Sequence, residues 1–590
     1  MTADTFNRPK RWDRAFAENM SDSQVDWILS NPHFNLMDES NFPTTLQLRD
    51  IIRNDCRIRV FEKDQLIVHA GAYTNSAFLI LSGTSTLVFA PGIDASAWGQ
   101  KKKKKSSVFT SLSQFLFRNR LPEVRQKVGA SELAKENKPR LRNSKDKKNG
   151  ERQKQKSLMP SIPDLQKRIS DAGVDSAEIK AGDIFGESAV LGRTMINNTV
   201  VATSRVEVLE IRWQGLRDIC KYQAPFKSHI DELYRKRGLY EELLSLPLLS
   251  NVPKSEILNL AKQALFEVYG EFEWHRAFQQ ATKQARNDDD INRIIQAEPL
   301  IAEEGDYPDG LLLLRNGFAR VSRRINHGHY TLGHLSRGDL FGLKELYDSW
   351  QSGSSTTLRC SLRALGYSDV IRIPSDWLEK NIFRASADTA INRALQQCLN
   401  DEKKHQVEEA ADKQLDRKLT EFLVENRLIN GSQTMMIDLE RCVRCDDCVT
   451  ACSNAHDNNP RFTRHGATFD NYMIANACMH CDDPVCMIGC PTGAIHRSQD
   501  GVVSINDETC IGCSSCANSC PYDNIRMVPI RDPKGAPYTD DKLKPIVKAT
   551  KCDLCTDVAG GPACQRACSH DALIRIDVKD IGRLADWVNR

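Results

Sequence analysis

Sixteen of the chain's 20 cysteines lie between Cys442 and Cys568, and they fall into four quartets. Cys442, Cys445, Cys448 and Cys452 form the first, and Cys478, Cys481, Cys486 and Cys490 the second. Cys510, Cys513, Cys516 and Cys520 form the third, and Cys552, Cys555, Cys564 and Cys568 the fourth. The first and third read C-x2-C-x2-C-x3-C; the others keep the leading C-x2-C and closing C-x3-C around a longer middle gap. Three thiolates so closely spaced can wrap one face of an iron–sulfur cube, while the fourth reaches a neighbouring cube. Thiolates are soft, anionic ligands suited to iron. Sixteen of them divide into four [4Fe–4S] clusters with none left over. Zinc ribbons also use C-x2-C, but as one pair from each of two knuckles rather than in runs of three. Disulfides suit short secreted chains, whereas this one has 590 residues and no apolar leader, so we expect a reducing cytosol.

Four further cysteines, Cys56, Cys220, Cys360 and Cys398, are scattered and predicted to be buried structural thiols. Histidine can replace cysteine at some clusters. The cysteine count leaves no vacancy, so His456, His465, His480, His496 and His570 are expected behind the ligands or at the surface. Short apolar runs, Met435–Asp438 and Val502–Asn506, precede the first and third quartets and read as strands leading into cluster loops. Gly489, Gly493, Gly512 and Ala517 are small enough to let backbone N–H groups approach the sulfur atoms.

Upstream, two stretches repeat each other. Gly71 and Gly83 are twelve apart, followed by Gly182-Asp183-Ile184-Phe185-Gly186; Gly305 and Gly317 are twelve apart, followed by Gly338-Asp339-Leu340-Phe341-Gly342. Apolar runs punctuated by Gly and Asp predict strands and turns, and two copies in order predict a duplicated β-roll. The copies are expected to differ in one place. Gly83 to Gly182 spans 99 positions against 21 for Gly317 to Gly338, about 78 extra residues in the first copy. This insertion carries Lys101–Lys105 and few aromatic residues, so we expect a disordered, solvated loop over about 93–170. Without interleaved aromatics, its lysines give no reason to expect nucleic acid. Helical spacing marks Leu216–Leu244, a start at Ser255, and Ala385–Leu428, with Gly431 placed as a C-cap.

The bulk numbers agree with this layout. A 40% hydrophobic and 27% charged chain fits a globular protein, and 590 residues require several cores. A net charge of +3 selects no class of partner, and no apolar run reaches membrane-helix length. The predicted division is a helical segment over 1–50, a first β-roll over 51–240, a second over 241–384, a helical connector over 385–430, and the cysteine domain over 431–590. The predicted fold class is multidomain α+β.

Residues from about Met435 to Ile576 resemble the iron–sulfur subunits of the dimethyl sulfoxide reductase and formate dehydrogenase type. The resemblance rests on Asp438-Leu439-Glu440-Arg441-Cys442, on Cys478 to Cys486, and on Cys490-Pro491-Thr492-Gly493-Ala494. It rests also on Cys510-Ile511-Gly512-Cys513 and Lys551-Cys552-Asp553-Leu554-Cys555. It implies two ferredoxin-like units related by a pseudo-twofold axis, with the first quartet paired to the fourth and the second to the third. On that pairing Cys442, Cys445 and Cys448 share a cluster with Cys568, and Cys552, Cys555 and Cys564 share one with Cys452. Cys478, Cys481 and Cys486 then join Cys520, and Cys510, Cys513 and Cys516 join Cys490. Ser569-His570-Asp571 departs from the family's usual Pro-Thr-Gly but spares the ligands.

The duplicated region resembles the cyclic-nucleotide-binding β-rolls. Phe185-Gly186-Glu187 matches the start of that family's phosphate cassette, but Ile196 stands at the arginine position, and Leu343 replaces the glutamate in the second copy. A phosphate without its arginine loses its strongest contact. A cyclic nucleotide is therefore not expected, and the rolls read as a scaffold for docking a partner subunit; Arg193 could take a shifted role.

The sequence thus predicts a non-catalytic electron-transfer subunit, cytoplasmic and part of a hetero-oligomer. Its expected partners are a molybdopterin or flavin catalytic subunit and another electron carrier. An effector-gated or redox-sensing regulator is the alternative, and a purely structural iron–sulfur protein a third reading. No dinucleotide fingerprint or phosphate-binding loop marks a substrate site in this chain.

Overall fold

A computed structural model of the chain describes residues 11–12, 15–17, 20–89, 123, 175–233, 239–271, 273–284, 288–325, 328–387, 389–406, 417–532, 534–540, 542–558 and 560–590. The basic insertion, apart from Glu123, lies outside them, as do the connector residues 407–416.

The first apolar repeat folds as eight strands: β1 (Cys56–Phe61), β2 (Leu66–Val68), β3 (Ser76–Ser82), β4 (Thr84–Phe89), β5 (Asp175–Lys180), β6 (Ile184–Phe185), β7 (Thr199–Ala202) and β8 (Val206–Arg212). They form two four-stranded sheets ordered β1-β8-β3-β6 and β2-β7-β4-β5. The second repeat supplies β9 (Leu265–Tyr269), β10 (Leu300–Ala302), β11 (Gly310–Asn316), β12 (Ala319–Ile325), β13 (Gly328–Leu335), β14 (Leu340–Phe341), β15 (Ser361–Ala364) and β16 (Ser368–Pro374). Its sheets are ordered β14-β11-β16-β9 and β10-β15-β12-β13, which is the first arrangement strand for strand. Gly83 and Gly317 turn β3 into β4 and β11 into β12 at φ +86° and +84°. A Cβ at Gly317 would lie 2.8 Å from the Ser368 hydroxyl, so both the turn and the close approach require glycine.

The copies differ in two places rather than one. The long insertion separates β4 from β5, as the glycine spacing predicts. The second copy adds two helices, His275–Gln284 and Asp288–Ala297, between β9 and β10, where the first copy has a short turn. The insertion also departs from a purely solvated loop at one point. Glu123 is buried; its N–H donates to the Asp457 carbonyl at 3.1 Å, and its own carbonyl accepts from the Arg531 N–H at 3.0 Å.

The predicted connector divides between two cores. Helix Thr389–Gln406 packs Ile391, Leu395, Cys398 and Leu399 into the second roll. Helix Arg417–Glu425 packs Leu419, Leu423 and Val424 against Met436, Ile474 and Ile576 of the cysteine domain. Gly431 is not the left-handed C-cap, since its φ is −90°; Arg427 takes that conformation at φ +53°. Gly431 serves close packing instead, because a Cβ there would meet that of Met479 at 2.8 Å.

The cysteine domain has one four-stranded sheet, β18 (Phe462–Phe469), β19 (Tyr472–Ala477), β17 (Thr434–Asp438) and β24 (Leu573–Ile576), in that spatial order. Two hairpins complete it, β20 (Ile495–Arg497) with β21 (Val503–Ile505) and β22 (Arg526–Pro529) with β23 (Val547–Thr550). Among the described residues no helix is long and apolar enough to cross a membrane.

One buried ion pair joins the second roll to the connector. Arg320 grips both oxygens of Glu298 at 2.9 Å and donates to the Thr331 hydroxyl at 2.7 Å. Glu298 also receives Arg427 at 3.4 Å, whose guanidinium lies against the rings of Trp274 and Phe278. Removing one partner of such a pair strands a buried charge, at a cost of about 3–5 kcal/mol. We expect Arg320→Met to lower the denaturant midpoint of the second roll's transition; an unchanged midpoint would show that Glu298 is satisfied without it.

Candidate iron–sulfur centres

Each cysteine quartet sits where a loop feeds a short helix. Cys448 and Cys452 lie on helix Asp447–Ala455, Cys516 on helix Ser515–Ser519, and Cys564 on helix Ala563–Ala567. The strands β17, β21 and β23 lead into the first, third and fourth loops, and β19 into the second. Positive φ at Arg444, Asp446, His480, Ser514, Leu554 and Cys555 bends these loops back toward the helices.

The bends bring cysteines of different quartets together. Cys448 lies near Cys564, Cys568 and Cys442. Cys452 neighbours Cys552, Cys555 and Cys564. Cys481 neighbours Cys478, Cys486 and Cys520. Cys516 neighbours Cys490, Cys510 and Cys513, and these four line one cavity of about 330 Å3. Cys445 and Cys513 are exposed; the other grouped cysteines are buried or half-buried.

Burial and then the neighbouring sulfurs push Cys448 up to about 11 and Cys516 up to about 12. Such sulfurs become thiolates at neutral pH only when cations share the site, as happens when metal binding displaces their protons. The surroundings are arranged for anionic sulfur. The N–H groups of Arg461, Ala572 and Leu554 donate to the Sγ atoms of Cys452, Cys568 and Cys552 at 3.2, 3.3 and 3.4 Å. The ammonium of Lys551 donates to Cys478 Sγ, and the Arg575 guanidinium to Cys552 Sγ, each at 3.1 Å. Thiolate groups of four, ringed by donors, fit iron–sulfur cubes.

The histidines are divided. His465 and His570 are exposed, and His496 is half-buried. His456 is buried with Nε2 3.5 Å from Cys555 Sγ, and burial lowers its pKa. His480 is also buried; burial, with Lys551 and Arg575 beside it, holds it well below the usual histidine range, and its Nδ1 accepts the Val503 N–H at 3.1 Å. Away from the quartets, Cys56, Cys360 and Cys398 are buried and Cys220 half-buried.

The rolls dock on the chain's own cysteine domain, a contact that the reading of them as a platform for another subunit missed. Arg193, which follows the cassette helix Glu187–Gly192, pairs with Asp483 in the loop between Cys481 and Cys486. Trp274, from the extra segment of the second copy, donates to the same carboxylate at 2.8 Å. Gln279 donates to the Cys520 carbonyl at 2.9 Å, and Arg217 to the Ile488 carbonyl at 2.8 Å. Arg497 exchanges hydrogen bonds with Asn75 and stacks over Tyr73. Ile196 is buried where the family has its arginine, beside a cleft of about 640 Å3 that Arg315 and Arg337 enter from the second roll. Arg337 is engaged there by Glu242 at 3.1 Å. None of these long-range partners has a local sequence signal; only Lys551, adjacent to Cys552, stands where spacing alone could have flagged it.

The comparisons with known proteins agree with this geometry. Residues 469–577 match the 4Fe-4S dicluster domain model and residues 293–384 the cyclic nucleotide-binding domain model. Electron transport protein HydN of Escherichia coli is 34% identical over 165 residues, 26% of this chain and 91% of HydN. A component of the anaerobic dimethyl sulfoxide reductase of Escherichia coli is 35% identical over 157 residues, 23% of this chain and 69% of that protein. A component of the tetrathionate reductase of Salmonella typhimurium is 29% identical over 157 residues, 25% of this chain and 58% of that protein. The chain therefore belongs to the family of 4Fe–4S electron-transport proteins that includes HydN and the dimethyl sulfoxide reductase component, with cyclic-nucleotide-binding-like β-rolls fused ahead of its cluster domain.

Proposed function

We propose that the chain is the electron-transfer subunit of a multi-subunit oxidoreductase and carries four [4Fe–4S] clusters. Cys442, Cys445, Cys448 and Cys568 would hold one, and Cys452, Cys552, Cys555 and Cys564 a second. Cys478, Cys481, Cys486 and Cys520 would hold a third, and Cys490, Cys510, Cys513 and Cys516 a fourth. Bound clusters supply one-electron transfer; the chain's residues supply ligation, spacing and a dry setting. The observation that carries this reading is the crossing of quartets, in which Cys452 leaves its own quartet to stand among Cys552, Cys555 and Cys564. Wrapping three ligands and sending the fourth to a neighbour is how two-cluster ferredoxins are built.

The substrate chemistry belongs to a partner. Relatives named as parts of reductases support a catalytic partner subunit; we read it as of molybdopterin or flavin type, with a second carrier completing the circuit. A reducing cytoplasm, which keeps thiols available as ligands, is the working compartment we infer.

Anaerobic titration with a low-potential donor tests the relay. We expect about four electrons taken up per chain, one per cluster, and returned to an added acceptor. Reversible uptake of less than one electron would leave only a structural role. Effector gating by a cyclic nucleotide has a separate test. Ile196 is buried at the arginine position and Arg193 is committed to Asp483, so we expect calorimetry with cyclic AMP and cyclic GMP to give no binding heat. Saturable heat would favour the regulator.

A further inference from the structure

Two buried cations stand between the second and fourth quartets. Lys551 is 5% exposed, and its ammonium donates to Cys478 Sγ at 3.1 Å, to the Cys552 carbonyl at 2.9 Å and to the Val503 carbonyl. Arg575, on β24, is also 5% exposed. Its Nη2 donates to Cys552 Sγ at 3.1 Å, and its Nη1 to the carbonyls of Cys478 and Gln433 at 3.0 and 2.8 Å. Each cation thus touches the set containing Cys478 and the set containing Cys552. The sulfurs of Cys478, Cys486 and Cys552 lie around Lys551.

A fixed positive charge in a dry interior acts at close range with little screening. Reduction adds one negative charge to a cluster, so a cation held against its sulfur ligands favours the reduced form and raises the potential. A cation shared by two sets raises both. The other two sets include the exposed Cys445 and Cys513.

Resting on the ligand reading proposed above, we propose that Lys551 and Arg575 form a cationic bridge that raises the potentials of both the Cys478 and the Cys552 sets. Lys551 and Arg575 are positioning residues: they ligate no iron and act on the potentials through the sulfurs.

The test is a potentiometric titration followed by electron paramagnetic resonance on the anaerobic full-length protein. Wild type is compared with Lys551→Met, Lys551→Gln, Lys551→Arg and Arg575→Gln, each at wild-type iron and labile-sulfide content. We expect Lys551→Met and Arg575→Gln each to move the same two of the four potentials to more negative values and leave the other two in place. Lys551→Arg keeps the charge and should restore the wild-type values. Should the Met variant lose iron, Lys551→Gln decides, since it removes the charge while keeping a donor for Cys478. Potentials that stay put at full iron content, or that all move alike, would overturn the bridge. Four redox-active clusters in wild type with unmoved variant potentials would sink the bridge alone; a wild type without redox-active clusters would sink the electron-transfer reading first.

Discussion

Crowding sixteen sulfurs into a small domain is the constraint on which the structure depends. Sulfurs ligating metal carry negative charge, most of them in buried or half-buried positions, and the chain must offset it locally. It does so with backbone N–H groups at Cys452, Cys552 and Cys568, and with the Lys551 and Arg575 side chains placed between groups. Those donors come from loops with left-handed turns and from a strand, β24, that pairs with β17. The local backbone and the sheet therefore serve the same electrostatic end.

The loop between Cys481 and Cys486 is the junction of the whole chain. Asn430 holds its backbone at Asp483 with a bond of 2.8 Å, Trp274 holds the Asp483 carboxylate from the second roll's added segment, and Arg193 holds it from the first roll. Arg427 continues the junction, offering its carbonyl to the Tyr522 hydroxyl at 2.7 Å and its guanidinium to Glu298. Both β-rolls are thus fixed against the polypeptide that carries three grouped cysteines. Arg193 leaves the nucleotide cassette to make this contact, which gives a physical reason for a cassette that keeps Phe185-Gly186-Glu187 yet has Ile196 at the arginine position.

What could be read from the sequence was what is local. Cysteine spacing identifies the cluster loops, because three ligands within seven residues have few other uses. The Gly-Asp-x-Phe-Gly repeat identifies the duplication, and the two sets of sheets match strand for strand. The crossing of quartets comes from family resemblance; in the structure Cys452 stands near Cys552, Cys555 and Cys564, as that crossing would require. The failures are all non-local or conformational. The helices His275–Gln284 and Asp288–Ala297 escape notice because the glycine markers lie outside them. Gly431 does close the turn Leu428–Asn430 as its C-cap, but in an extended rather than a left-handed conformation, and it also clears space for Met479. The Arg193–Asp483 pair joins residues almost three hundred positions apart, and no periodicity reports such a meeting.

The most direct measurement is the metal and sulfide content of the anaerobically purified chain, with electron paramagnetic resonance after dithionite reduction. Four cubanes require about sixteen iron and sixteen labile sulfide atoms per chain, with the broad, coupled signals of neighbouring reduced clusters. Zinc in their place, with no labile sulfide, would contradict the four-cluster reading and leave the quartets as structural knuckles.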